Sequence, residues 1–259
     1  ILLLIDHLAP PATVLPGSQR KSPVAARSHP GRDFGRVCHD ENMEQDPSEA
    51  FWDARYGRST PLWSGQPNSL LVEAVQELQP GAALDVGSGE GADAIWLACQ
   101  GWRVHAVDFS SVALGLAASR AELAGVSDRV TWMYQNIANW APPAASYDLV
   151  SAQFLHLAPP VRAQVFRNLG AAVAPGGLLL IVGHHPTDLN TGAKRPSRED
   201  LLLTPESVVE ALHSRDWVQV TCEVRPRSGW AADGNAVTVH DSLFRARRSR
   251  SESKSSNAR

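Results

Sequence analysis

Between residues 48 and 248, short apolar runs alternate with stretches in which apolar positions recur every three or four residues. The first pattern marks buried strands and the second marks helices with one apolar face. Residues 48–56 and 68–78 are therefore expected to be helices, the second presenting Leu71, Val72, Val75 and Leu78 on one side. Pro80-Gly81 ends it, and 82–86 reads as a short buried strand leading through a glycine-rich turn into a helix that runs to about Gln100. The same unit follows twice more. Residues 103–107 are a strand and 112–124 a helix closed by Gly125; 130–134 is a strand followed by a short link; 147–152 is a strand and 161–174 a helix. Pro175-Gly176-Gly177 breaks that helix before a strand at 178–182.

Strand–helix–strand repeats of this length require parallel pairing, because each helix returns the chain across a face of the sheet. After Thr204-Pro205-Glu206, which has the pattern of a helix N-cap with proline in the first turn, the rhythm changes. A helix at 207–213 precedes strands at 217–224 and 236–245 that no helix separates, so these two are expected to be antiparallel. The expected fold class is α/β: a Rossmann-like, doubly wound, mostly parallel seven-stranded sheet with a C-terminal antiparallel strand pair.

The two ends carry no such period. Residues 1–47 are rich in Pro, Ser, Arg and His, and the first methionine is Met43. This stretch is expected to be disordered or an upstream extension, the domain to occupy 48–248, and 249–259 to be a disordered basic tail, with the run of arginines starting at Arg245. The apolar residues 1–5 are cut short by Asp6-His7 and are not read as a signal peptide.

Composition adds exclusions more than assignments. The 259 residues are 43% hydrophobic and 20% charged with a net charge of −3, which exerts no overall pull toward nucleic acid or an acidic membrane. No apolar run approaches the ~20 residues of a membrane span. Cys38, Cys99 and Cys222 are far apart with no Cys-x-x-Cys pair, so neither a disulfide framework nor a zinc knuckle is expected, and a reducing cytosol is the natural compartment.

The candidate chemistry lies where the first two strands end. In a sheet of this kind ligands bind beyond the carboxyl ends of the strands. The first strand feeds Asp85-Val86-Gly87-Ser88-Gly89-Glu90-Gly91, whose glycines permit a close backbone approach and whose N–H groups open a helix. Asp108 ends the second strand and can accept both hydroxyls of a ribose. Gly87, Gly89 and Ala92 also satisfy the dinucleotide pattern Gly-x-Gly-x-x-Gly/Ala. Against a nicotinamide enzyme, none of the three lysines lies four residues after a tyrosine, and no second domain is long enough to supply a substrate site. No Gly-Lys dipeptide exists to make a phosphate-cradling P-loop.

The loop at 85–91, Val107-Asp108-Phe109-Ser110, Tyr147-Asp148-Leu149-Val150, and Pro175-Gly176-Gly177 before a strand together resemble the class I S-adenosylmethionine-dependent methyltransferases. Phe51-Trp52-Asp53-x-Arg55-Tyr56 and Trp63-Ser64-Gly65-x-Pro67-Asn68 are similar to the small-molecule enzymes of the tellurite-resistance and thiopurine type. The resemblance implies S-adenosylmethionine as cofactor. It implies that Asp85, Gly87, Gly89 and Gly91 shape the pocket for the methionine portion and sugar, that Asp108 grips the ribose, and that Phe109 covers an adenine face. Asn136, with Ile137 beside it, stands where the family usually has an acid facing the adenine amine; an amide oxygen accepts the same bond. Gln153 is expected near the methionine end, and Trp63 either closes the site or is a packing aromatic.

Methyl transfer from a sulfonium needs mainly alignment, and a base only for acceptors that arrive protonated. The candidate bases are His156, His184 and His185, all expected at the ligand-binding rim; they lack the carboxylate or thiol spacing of a metal site. The expected acceptor is a small molecule bearing a sulfur, selenium, tellurium, nitrogen or oxygen nucleophile, with no nucleic acid and no membrane as partner. An RNA or protein acceptor, and a non-catalytic S-adenosylmethionine-binding module, remain as alternatives.

Overall fold

The computed structural model describes residues 48–58, 62, 64–193, 195–196, 198–212 and 216–250. The expected leader, Trp63 and residues 251–259 of the expected tail lie outside the described residues.

One seven-stranded sheet organises the chain, in the order β3-β2-β1-β4-β5-β7-β6. Its strands are β1 (Ala82–Val86), β2 (Arg103–Asp108), β3 (Val130–Tyr134), β4 (Tyr147–Gln153), β5 (Val173–His184), β6 (Trp217–Trp230) and β7 (Ala236–Arg248). The first five pair in parallel, whereas β7 runs antiparallel to both β5 and β6. The chain starts in the middle of the sheet, winds outward to β3, then crosses to β4. The strand order therefore reverses between β1 and β4, and that is where such sheets bind ligands.

The helices are α1 (Glu49–Tyr56), α2 (Ser69–Val75), α3 (Ala92–Cys99), α4 (Ser111–Ala124), α5 (Pro159–Ala172) and α6 (Pro205–Leu212). Alternation along each strand sends side chains to two separate cores. Leu84, Val86, Val150, Leu179 and Ile181 pack with Val165, Phe166 and Leu169 of α5 and Val208 of α6. Ala83, Val104, Ala106, Leu149 and Leu180 pack on the other face with Leu71 of α2, Leu97 of α3 and Ala121 of α4. Both faces are thus covered, as a doubly wound parallel sheet requires. No helix joins β3 to β4; Ile137 and Trp140 of that link pack against the α5 side instead.

The expected elements are all present, with corrections at their ends. The second helix stops at Val75, short of Leu78, and the helix expected at 161–174 starts earlier at Pro159 and ends at Ala172. Proline is well placed there, because the first turn of a helix has no partner for its N–H. The Pro-Gly-Gly turn falls inside the irregular start of β5, where Val173 already pairs with Tyr147. Strand β6 continues to Trp230 and β7 to Arg248. Arg245 therefore does not begin a solvated tail. Arg247 and Arg248 donate to the carbonyl oxygens of Gly176, Ala171 and Val173, fastening the strand end to the α5–β5 corner. No helix among the described residues is long and apolar enough to cross a membrane.

Candidate functional site

The glycine loop is pinned before it can bind anything. Gly87 N and Ser88 N both donate to Val107 O of β2, at 2.8 and 3.0 Å. Gly87 has φ +71°, and a Cβ there would lie 2.5 Å from Leu155 Cδ2. Gly91 caps α3 with φ +82°, and a Cβ there would meet the Trp132 ring at 2.7 Å and Ala117 at 2.8 Å. Both positions need glycine, for the positive φ and for the close approach.

Asp108 closes the loop from the β2 side. Its Oδ2 accepts from Gly89 N at 2.8 Å and its Oδ1 from Ser110 N at 2.9 Å. Ser110 caps α4 and donates its hydroxyl to Asp53 Oδ1 at 2.5 Å, which ties α1 over the same corner. A carboxylate oxygen has two lone-pair directions, so Asp108 keeps acceptor capacity beyond the bonds that shape the loop.

Three carboxyls gather here with little positive charge to offset them. Asp85 is buried, and its Oδ2 has no hydrogen-bond partner among the described residues. Burial pushes its carboxyl well above the usual range, and Asp93 and Asp108 push it further; only the Ala94 N–H works the other way. Asp93, in the first turn of α3, is raised by burial to about 6 although it accepts from Asn68 N at 2.6 Å. Asp108 is also raised, chiefly by burial, against the N–H groups it accepts from. Glu90, in contrast, pairs with Arg120 at 3.2 Å and accepts from Leu62 N at 3.3 Å.

Phe109 follows β2 while Asn136 and Ile137 follow the neighbouring β3, and Gln135 N donates to Asp108 O at 3.0 Å across the two strand ends. The Asn136 side-chain oxygen accepts from Ala138 N at 3.0 Å, so it already serves a turn in its own link. Gln153 ends β4; its amide nitrogen donates to Ser151 Oγ at 2.9 Å, while its oxygen and Ser88 Oγ, both buried, have no partner among the described residues.

Two of the three histidines meet, and the third does not. His156 and His184 follow or end neighbouring strands and stack with ring centroids 5.7 Å apart. Trp52 of α1 lies parallel to His156 at 6.5 Å, and Phe154 lies against His184 at 4.5 Å. Phe154 itself has φ +53°, an uncommon conformation for an aromatic residue, and it turns the chain sharply off β4. Burial lowers both imidazoles, His156 to about 3, and Arg195 disfavours their charged forms as well. Both are neutral near neutral pH. His185 faces the other way: its Nδ1 accepts from Thr187 N at 3.3 Å and caps the turn Pro186–Asn190. It is a capping residue and not part of this cluster, because successive residues leaving a strand point to opposite sides.

Sequence reasoning missed the charged groups behind the histidines. Asp188, fully buried, takes Arg195 Nε at 2.9 Å and His240 N at 2.9 Å, which fastens the loop after β5 onto β7. Asp241 takes Arg227 at 2.6 and 3.2 Å and sits opposite His184 in the β5–β7 register. Asp93 had a readable signal, an acid in the first turn of the helix that leaves the glycine loop. Asp241 had none, since its place depends on the pairing of β7 with β5, two strands far apart in sequence. A groove of about 300 Å³ lined by Glu73, Glu77, Leu178, Gln219, Arg245 and Arg247 lies at the opposite end of β5 and touches none of these groups. Among the described residues no three His, Cys, Asp or Glu side chains gather as a metal site would require.

Comparison with known proteins agrees with this geometry. Residues 83–177 match the family model described as a methyltransferase domain. The chain is 30% identical over 152 residues to the tRNA 5-carboxymethoxyuridine methyltransferase of Escherichia coli, covering 55% of this chain and 56% of that protein. It is 27% identical over 155 residues to the ribosomal protein L11 methyltransferase of Desulfitobacterium hafniense, covering 58% of this chain and 45% of that one. The chain thus spans about half the length of the curated relatives it matches. Among solved structures, the N-methyltransferase NodS of Bradyrhizobium japonicum in complex with S-adenosyl-L-homocysteine superposes with a TM-score of 0.60 at 19% identity, covering 78% of this chain and 99% of NodS. TehB of Haemophilus influenzae superposes with a TM-score of 0.56 at 16% identity, covering 77% of this chain and 66% of TehB. With its glycine loop, its strand order and the methyltransferase domain matched at residues 83–177, the chain is similar to the class I S-adenosylmethionine-dependent methyltransferases and shares their fold.

Proposed function

We propose that this protein transfers a methyl group from S-adenosylmethionine to a small-molecule acceptor through a sulfur, selenium, tellurium, nitrogen or oxygen nucleophile. One observation carries the cofactor half: Asp85, Asp93 and Asp108 surround the glycine loop as buried carboxyls, and burial raises all three. Buried carboxylates are costly unless a cation meets them. S-adenosylmethionine brings two positive charges, a sulfonium and an ammonium. The orphan Oδ2 of Asp85 suits the ammonium end, and Gly87, Gly89 and Gly91 let the methionine portion approach the backbone. Asp108 serves the ribose, Phe109 an adenine face, Ile137 the other apolar wall, and Asn136 the adenine amine. The unpartnered oxygen of Gln153 lies beyond β4, where the methionine end would run. The geometry gives no role to Trp63, which lies outside the described residues.

The small acceptor rests on the wall that α1 builds. Trp52, Tyr56, His156, Phe154 and His184 form a continuous set of ring contacts beside the loop. Such a wall, mostly aromatic with few polar groups, suits a compact ligand. Labelled-methyl transfer to a panel of thiols, selenite, tellurite, amines and phenols tests the reading. Tight cofactor binding with no acceptor methylated across a broad metabolite extract would overturn it in favour of a binding module.

A second reading, an RNA acceptor, is favoured by the likeness to the tRNA 5-carboxymethoxyuridine methyltransferase and by the basic end of the chain. Filter binding of RNA at several salt concentrations, with and without residues 251–259, separates the two, because phosphate contacts make affinity fall steeply with salt. This truncation leaves β7 intact.

A further inference from the structure

We propose that Asp241 is a positioning residue that orients His184 to take a proton from the methyl acceptor, so that the natural acceptor arrives protonated. The inference rests on the methyltransferase reading and deepens it. His184 ends β5 and Asp241 lies directly opposite it on β7, in the same antiparallel register. The His184 Nδ1 stands 3.9 Å from Asp241 Oδ1 and has no hydrogen-bond partner among the described residues. That separation is longer than a hydrogen bond; catalytic hydrogen bonds are often long without substrate and tighten when it binds.

Asp241 is itself held. Arg227 Nε and Nη2 grip its two oxygens at 2.6 and 3.2 Å, so the carboxylate cannot swing away from the strand. A carboxylate facing Nδ1 fixes the proton on that nitrogen and leaves the lone pair on Nε2, the far side of the ring. Phe154 and His156 pack against the ring and limit its rotation.

The partner histidines cannot do the same work. Among the described residues no carboxylate acts on His156, and its buried Nε2 has no partner there. His185 is engaged in capping the turn after β5. The charged groups around His184 are Asp241 and Arg227 from the β6–β7 hairpin, Arg195 from the loop after β5, and Arg55 of α1 through His156. Asp241 alone among them favours an imidazolium. Burial opposes ionisation of Asp241, yet His184 and Arg227 outweigh it and hold its carboxyl below the usual range.

The step balances without a further reactant. The acceptor X–H gives its lone pair to the methyl carbon, the X–C bond forms as the C–S bond breaks, and the C–S electron pair returns to sulfur. The proton on X passes to His184 Nε2, and the imidazolium so formed faces Asp241 until the proton leaves to solvent.

The test is a long-range ¹H–¹⁵N spectrum of the full chain with S-adenosylhomocysteine bound, following the His184 ring nitrogens from about pH 4 to about pH 8. The expected result is the Nδ1–H tautomer in the neutral form, with titration moved to lower pH in Asp241→Asn. An Nε2–H tautomer, or a titration that Asp241→Asn leaves in place, would overturn the proposal. Should Asp241→Asn fail to fold, the wild-type tautomer decides alone. Shifts of the Gly87–Gly91 amides in the same sample report the cofactor site separately, so their absence counts against the methyltransferase reading and not against the dyad.

Discussion

Two groups of buried carboxylates lie at the same rim of the sheet, and they are built in opposite ways. Around the glycine loop, Asp85, Asp93 and Asp108 sit together and burial raises each of them. Beyond β5, Asp188 is bound by Arg195 and Asp241 by Arg227, and Asp241 is lowered even though burial opposes it. The second group carries its own cations. Among the described residues the first does not, and in a low-dielectric setting that difference is what a positively charged ligand reads. One side of the cleft is thus electrically incomplete, as a site for a cationic cofactor needs to be, while the other is complete and rigid, as a site that must orient a base needs to be.

The comparison breaks most visibly at His184. Replacing it with Ala is expected to lower methyl transfer by about 10²–10⁴-fold, the range of a lost general base, with cofactor affinity unchanged. Steady-state labelled-methyl transfer alongside calorimetric cofactor binding checks both halves. Equal losses in both would mean that the two groups are not separable.

Asp108→Ala is expected to do the reverse. It removes two charge-assisted bonds from Gly89 and Ser110 as well as the ribose contact, and should weaken S-adenosylmethionine by about 100-fold or more. Titration calorimetry of the variant reads this directly.

Much of this was legible in the chain, and the limits have physical causes. The glycine loop and Asp108 are shaped by local geometry, a turn with positive φ and a strand end, so their spacing points to them as candidates. The sheet class followed from helices recurring between short apolar runs. The length of β6 did not: a strand was expected at 217–224, and it runs on to Trp230 across Pro226 and Ser228-Gly229. An edge strand tolerates both, since its outer N–H groups need no partner in the sheet. Asp241 was invisible for a different reason: it meets His184 only through the register of β5 with β7, and a strand's pairing register is a tertiary property. The capping contact of His185 with Thr187 was not legible either, because adjacent histidines leaving a strand look equivalent in sequence.

A smaller effect sharpens the acidic half. Asp93 is raised to about 6, so it loses its proton across the weakly acidic range. A cation prefers the ionised form, and affinity should therefore climb as pH rises through that value. S-adenosylmethionine is expected to bind about tenfold more weakly near pH 5 than near pH 7.5. S-adenosylhomocysteine lacks the sulfonium charge and should show a shallower dependence, measurable in the same calorimeter.

The smallest predicted effect concerns stability without ligand. A carboxyl raised in the folded state stabilises fully below its unfolded value of 3.8, and that contribution is lost as pH rises through about 6. The ligand-free protein should thus weaken across this window, and Asp93→Asn should recover about 1 kcal/mol above it. Urea unfolding on both sides of the window checks the sign.

The claim that the glycine loop is an acidic pocket completed by a cationic cofactor is tested most directly by one comparison. S-adenosylmethionine and S-adenosylhomocysteine are titrated by calorimetry into the wild type and Asp85→Asn at neutral pH. The prediction is that both bind the wild type and that Asp85→Asn weakens both, because each carries the ammonium that meets Asp85, and weakens S-adenosylmethionine further, because its sulfonium feels the same lost charge. Failure of either ligand to bind the wild type, or undiminished affinity of both for Asp85→Asn, would contradict it.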